Sequence, residues 1–211
     1  MIAKIYNIQV ITPIFGGGVK ASENDPVTPI RPSSIRGHLR FWWRATRGAR
    51  CKNVAELRQR EGEIWGTTEN PSKVTTEVSV ISKGNSYACA ELEPKGRYFR
   101  VKREFPQYAI FPFQGNTRKN EMPANCTSGI IFNLKLIYSH ADYQDVDAAV
   151  WAWVNFGGLG SRTRRGCGAL YCEELAPRSG DSSDIKAWYS FHLNNSWVGN
   201  NNIIGGCRES I

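Results

Sequence analysis

The stretch Asp145 to Phe156, DVDAAVWAWVNF, most constrains what this chain can fold into. Read as a helix it is apolar on almost every side, and such a helix must be covered all round. Acids stand at its positive N-terminal end, and Gly157 follows as a stop. Its uninterrupted apolar run, Ala148 to Val154, is far shorter than the roughly 20 residues that span a bilayer. The cover must therefore be protein. Seven Trp, eight Tyr and nine Phe in 211 residues supply the apolar area and exclude disorder as the dominant state.

Strands with one apolar face are the natural cover. Tyr6, Ile8 and Val10 alternate within Ile2 to Thr12, and Val74, Thr76, Val78 and Val80 within Lys73 to Ile81. Ile130 to Tyr138 alternates over a longer run, and Gly168 to Leu175 reads as a last strand. Pro32-Ser33-Ser34 signals a helix start with a serine cap, predicting a helix over Ser34 to Arg47. A second helix is expected over Val54 to Trp65, ending at Gly66. Residues 83–128 carry mixed signals and read as an inserted hairpin or loop, and residues 176–211 as a polar tail. The resulting order is βαββαβ. It predicts an α+β fold, a ferredoxin-like or RRM-like antiparallel sheet with two helices on one face, over residues 1–175.

Charge narrows the function. The net charge is +8, but the excess is concentrated in three acid-free windows. Arg31 to Arg50 holds six arginines, Lys95 to Arg103 five basic residues, and Gly157 to Leu170 three arginines. The rest of the chain is net acidic. Such segregation is what a polyanion-binding surface requires.

On a helical wheel with Ile35 at the origin, Leu39, Trp42 and Thr46 fall within about 40° and form the expected core stripe. Arg36, Arg40, Arg44 and Arg47 fall between about 100° and 180°, with Trp43 flanking them and Arg31 just ahead of the helix. Like charges at i,i+4 repel by a few tenths of a kcal/mol per pair unless an anion lies across them. That anion is either a phosphate chain or acids from elsewhere in the protein; the acid-free segment favours phosphate. The second element, GGLGSRTRRGCG, interleaves five glycines with Arg162, Arg164 and Arg165. Glycines such as Gly157, Gly158 and Gly160 admit phosphate oxygens to backbone N–H groups, with Ser161 and the arginines alongside. The loop lacks the GKS or GKT ending of a Walker A loop, and its GGLG piece is a weak match to the GxxG clamp of some RNA-binding modules. Insert aromatics (Tyr98, Phe99, Tyr108, Phe111 and Phe113) suit base stacking or docking of a neighbouring subunit.

Catalytic signals are weaker. His38 points away from the arginine stripe on the wheel and reads as a half-buried core histidine; His140 and His192 have no acidic or basic neighbour in sequence. Six cysteines show no CxxC pair, and no HExxH or GxSxG occurs, so neither a metal site nor a cofactor is expected. The N-terminus lacks a signal-peptide h-region, and reduced thiols in a cytoplasmic protein are expected.

IRPSSIRGHLRFWWRATRG, preceded by TPIFGGG and followed much later by FGGLGSRTRRGCGAL, resembles the RAMP superfamily of CRISPR proteins. Within it the resemblance is to first Cmr subunits of type III-B RNA-guided effector complexes, over roughly residues 2–175. It implies a non-catalytic subunit in antiviral defence, whose glycine-rich loop and first helix face guide RNA and target RNA, with other Cmr and RAMP subunits as partners and no membrane. Members of that family are commonly longer, with a second related domain that the 40 or so residues after the loop do not match. The competing expectations are a metal-independent, guide-processing endoribonuclease of the same superfamily using His38, and an anion-binding module that recruits proteins without RNA.

Overall fold

The computed structural model describes residues 1–16, 18, 23–25 and 27–176; the tail expected from 176 onward lies almost wholly outside them. The chain is a mixed α+β protein built on an antiparallel sheet with four helices among the described residues. In order these are β1 (Ile2–Val10), β2 (Ile14–Phe15), α1 (Pro32–Ala45), α2 (Val54–Trp65), β3 (Thr75–Ala88), β4 (Ala90–Lys95), β5 (Tyr98–Val101), α3 (Gln107–Ile110), β6 (Asn125–Tyr138), α4 (Tyr143–Phe156) and β7 (Leu170–Tyr171).

Strand β6 is the spine. One edge pairs with β1 (Ile2 opposite Tyr138, Gln9 opposite Ile131), and its other edge pairs with β3 from Thr75 opposite Ile137 to Ala88 opposite Asn125. β7 pairs with the far edge of β1 through Val10 and Leu170, giving the order β3–β6–β1–β7 with every pair antiparallel. β2 continues along β6 beyond the end of β1, with Ile14 opposite Thr127. Period-two alternation decides which face is buried. Tyr6, Ile8 and Val10 join Ile130, Phe132, Leu134, Leu136 and Tyr138 in the core, while Asn7 and Asn133 bond to each other on the other face.

Helices α1 and α4 cover the buried face. Every residue of α4 from Val146 to Val154 is buried, as its apolar circumference requires. α1 contributes Ile35, Leu39 and Trp43. Here the wheel expectation is corrected: Trp43 is not a flank of the basic stripe but wholly buried, its indole N–H donating to Asp145 at 2.6 Å, while Trp42 is only half-buried. The core stripe is thus turned toward the arginines by roughly one residue's 100° arc or less. The expected boundaries also shift. α1 begins at Pro32 with Arg31 as its N-cap and no side-chain cap bond, so Pro at N1, not a serine, starts it. It ends at Ala45, leaving Arg47 in a separate turn, Arg47–Arg50. α2 has the expected limits, with Asn53 capping the Glu56 N–H at 2.9 Å and Gly66 at φ +83° ending it.

The insert contracts. β3 and β6 run on into it, leaving a β4–β5 hairpin turned at Gly96 (φ +72°) and a short helical segment. This part has its own small core, in which Phe15 from the main sheet stacks on Phe113 with ring centroids 4.5 Å apart. The expected last strand, 168–175, is only Leu170–Tyr171, because Gly168 sits at φ +63° and a helical turn begins at Glu173.

Burial of Trp43 makes a sharp test. Trp43→Ala is expected to destabilise the protein by about 3–5 kcal/mol, as for a large core aromatic, whereas a surface tryptophan would cost little. Urea unfolding monitored by far-UV circular dichroism distinguishes the two.

Candidate nucleic-acid interface

The acid-free arginine helix does find acids, supplied by packing. Glu61, on α2 and only 6% exposed, accepts from Arg40 Nε at 2.7 Å and from Arg44 Nη1 at 2.8 Å. One carboxylate thus relieves the i,i+4 repulsion between these two arginines. Both arginine side chains keep more than a third of their surface exposed, and each guanidinium has donors beyond the one given to Glu61. Arg31 is held by Asp25 at 2.6 Å, and that contact keeps the Asp25 carboxyl well below the usual carboxylate range. Arg47 is buried, donates to the Gln144 carbonyl at 3.3 Å, and has its pKa lowered by burial. Arg36 is exposed, and among the described residues it forms no ion pair.

The glycine-rich loop leaves α4 at Gly157, whose N–H closes on the Trp153 carbonyl at 2.8 Å. Trp153 Nε1 donates to Gly158 O at 3.2 Å, and a Cβ on Gly157 would meet Trp42 Nε1 at 2.7 Å, so loop and α1 abut here. Farther on, the loop is stitched into the sheet. Leu159 N–H donates to Gly168 O, Ser161 N–H to Phe15 O, and Gly168 N–H to Pro13 O. Gly160 (φ +79°) packs so closely on β2 that a Cβ would lie 2.5 Å from the Phe15 carbonyl. Gly158 is similarly confined by Gly168. Several of the N–H groups expected to face phosphate therefore bond within the protein, and these glycines are required by close packing. Sequence reasoning read the glycines as ligand-facing because composition does not reveal the neighbours a Cβ would strike.

The loop arginines divide. Arg162 adopts a left-handed conformation at φ +60°, uncommon for a residue with a side chain. Its guanidinium lies 5.5 Å from the Phe111 ring centroid and reaches the Tyr108 carbonyl at 3.5 Å, while its Nε is buried without a hydrogen-bond partner. Arg165 stands over the Tyr108 ring at 4.8 Å. Arg164 is exposed. Arg162 and Arg165 thereby join the loop to the insert, where Tyr98, Tyr108 and Phe111 are exposed and Phe113 packs half-buried against the small core. Lys102, 5.3 Å above the Tyr87 ring, lies in the same insert, within the basic window Lys95 to Arg103.

His38 stacks on Trp153 with centroids 6.1 Å apart, and burial lowers its pKa. Among the described residues it has no hydrogen bond to an acid or base, five cysteines are free thiols, and no cluster of three metal-ligating side chains occurs. No described helix is long and apolar enough to cross a membrane.

Two outcomes follow from this geometry. Gly168→Ala, whose Cβ would strike the Leu159 carbonyl, should cost more than about 2 kcal/mol, whereas Gly166→Ala, with open space and only positive φ against it, should cost about 1–2 kcal/mol; thermal unfolding of the pair reads the contrast. Because His38 is harder to protonate folded than unfolded, stability should fall as pH drops below the unfolded value of 6.5. His38→Phe should flatten the urea midpoint between about pH 5 and 6.5 relative to wild type.

The comparisons with known proteins agree with this architecture. Cmr1-2, a subunit of the CRISPR Cmr system of Pyrococcus furiosus, is 29% identical over 187 residues, covering 83% of this chain and 97% of that protein. The apo crystal structure of Cmr1 from Pyrococcus furiosus superposes with a TM-score of 0.64 at 20% identity, covering 94% of this chain and 61% of that one. A chain of the type III-B Cmr-beta cryo-EM structure, bound to cognate target RNA and AMPPnP, gives a TM-score of 0.56 at 13% identity, covering 93% of this chain and 65% of that one. This chain thus spans nearly all of one relative and less than two thirds of the two chains of known structure. The RAMP superfamily model matches residues 7–171, and the chain belongs to that superfamily.

Proposed function

We propose that this protein is a non-catalytic, RNA-binding subunit of a type III-B Cmr effector complex, acting in antiviral defence in the cytoplasm. The order β3–β6–β1–β7, with α1 between β1 and β3 and α4 between β6 and β7, supports a ferredoxin-like βαββαβ domain. The similarity to Cmr1-2 along nearly its whole length supports the complex.

One observation carries the RNA reading. Arg36 on α1, Arg162, Arg164 and Arg165 in the glycine-rich loop, and Arg97, Arg100, Lys102 and Arg103 in the insert form no ion pair among the described residues. Cations left without acids on adjoining loops suit a chain of phosphates, and their spread over three elements suits a strand rather than one small anion. Arg40 and Arg44 add their outward donors around Glu61. Gly157, Gly158, Gly160 and Ser161 shape the loop, and Trp43, Arg31 and Arg47 hold α1 in place. Phosphate contacts position the strand, and base pairing between guide and target reads sequence.

The endoribonuclease reading asks His38 to transfer protons. Its stacking on Trp153 and its lowered pKa leave it a neutral packing group near pH 7, and among the described residues it has no hydrogen bond to the basic or acidic partner such chemistry needs.

If about five phosphates are neutralised, the log of affinity for single-stranded RNA should fall against log salt with a slope near −3.5, at about −0.7 per contact. Replacing both Arg164 and Arg165 by Ala should reduce that slope by about 1.4 and leave the melting temperature nearly unchanged. Filter binding at several salt concentrations checks both, and a slope near zero contradicts the proposal. The same incubations, without metal, should leave labelled repeat RNA intact; cleavage lost in His38→Ala would favour the nuclease.

A further inference from the structure

A cleft of about 520 Å³ opens where the glycine-rich loop meets the insert. Its lining is largely aromatic and apolar, chiefly Tyr87, Phe105, Pro13 and Ile110, but includes Glu104, and Arg165 stands at its edge. That volume is within the roughly 300–1,000 Å³ typical of small-ligand sites. We propose that this cleft receives one unstacked nucleobase of the bound RNA strand, with Arg165 and Lys102 taking the phosphates on either side. The inference rests on the RNA-binding reading above and adds a base subsite to it.

Three features favour a nucleobase. The first is the wall itself. Tyr87 and Phe105 lie with ring centroids 6.1 Å apart and planes 28° from parallel, and the Tyr87 hydroxyl is fixed to Ser128 Oγ at 3.0 Å. The ring is therefore held in place before any ligand arrives, so little ordering entropy opposes stacking. The second is charge. The guanidinium of Arg165 lies 4.8 Å from the Tyr108 centroid and the Lys102 ammonium 5.3 Å from that of Tyr87, and neither is in an ion pair among the described residues. The one acid in the lining, Glu104, pairs with neither, so an apolar side chain from a neighbouring protein would fill the cleft but bring no charge to those two cations. A nucleotide answers both, because its flat apolar base is joined to a phosphate. The third is access. Gly166, at the cleft's edge, has no atom within 4 Å of where a Cβ would stand, so a sugar–phosphate chain can pass close to the backbone there. A lining dominated by apolar and aromatic side chains implies that any base is accepted, as stacking sites do.

The test uses the full chain and two single-stranded RNAs of about 20 nucleotides, one base-bearing and one with the same backbone but abasic. Tyr87→Ala should weaken binding of the base-bearing RNA by about tenfold, the scale of one stacked base, and leave the abasic RNA unaffected. Tyr87→Phe should bind both as wild type does. Because Tyr87→Ala touches a packed wall, wild-type protein irradiated with 4-thiouridine-substituted RNA gives an independent reading, with crosslinks expected on the peptides carrying Tyr87 or Phe105. Equal loss for both RNAs, or no loss for either, overturns the base subsite, as do crosslinks confined to other segments. Salt-dependent binding that ignores the bases overturns it while leaving the phosphate reading intact, whereas failure of wild type to bind either RNA overturns both. If Tyr87→Ala weakens capture of a neighbouring Cmr subunit and leaves both RNAs bound as before, a protein side chain is the occupant and the proposal fails.

Discussion

Helix α4 has no polar side on which to meet water, and the architecture follows from that need for cover. The sheet lies against one flank and α1 against another, with Trp43 of α1 filling the space between them. The acids at its start do not break this pattern, because each is answered: Asp145 by the Trp43 indole and Asp147 by Lys4 of β1 at 2.9 Å. Burying a carboxylate without such partners costs several kcal/mol, so the two contacts fix how α4 sits against α1 and β1. With the helix fixed, Gly157 must emerge beside Trp42, and the glycine-rich loop is delivered to the end of β2. The loop's position is a consequence of helix burial.

The same packing rearranges the charge. Arg40 and Arg44 read as an uncompensated stripe because no acid occurs in their own segment; Glu61 reaches them only because α2 folds back on α1. A carboxylate shared by two arginines leaves a net positive charge at its rim, so the helix keeps some attraction for an anion after the repulsion is relieved. Arg36 on the same helix, like Arg164 and Arg165 on the loop and Arg97, Arg100 and Arg103 on the insert, forms no ion pair among the described residues. The helix thus carries partly neutralised charge beside a loop whose arginines form no ion pair among the described residues.

What was legible in the sequence was what depends on local period. The alternation in β1 and β6, the limits of α2 and the stop at Gly157 follow from side chains two or four residues apart, and all stand in the structure. What was illegible depends on partners far along the chain. Trp42 and Trp43 are consecutive and about 100° apart on the wheel, and Asp145, 102 residues away, accepts from the indole of Trp43, the one that the interior takes. The GGLG run suggested open amides, yet Gly160 is glycine because the Phe15 carbonyl occupies the space of a side chain. The last strand stops at Tyr171, one residue before the inward alternation of Leu170 and Cys172 ends, since the chain turns at Glu173 to place Leu175 against the core.

Arg162 couples the glycine-rich loop to the insert. A left-handed residue with a long side chain costs about 1–2 kcal/mol and persists only where its surroundings hold it. Here the holders are the Phe111 ring and the Tyr108 carbonyl, both in the insert. Two residues before it, Gly160 packs on β2; five residues after it, Cys167 belongs to the insert's small core while Leu170 belongs to the main one. The loop is therefore clamped between two apolar clusters, and Arg162 is the side chain through which insert and loop constrain each other. A strand of RNA lying across the loop would press on a segment whose shape both cores determine, so the insert cannot shift without altering the arginines that flank it.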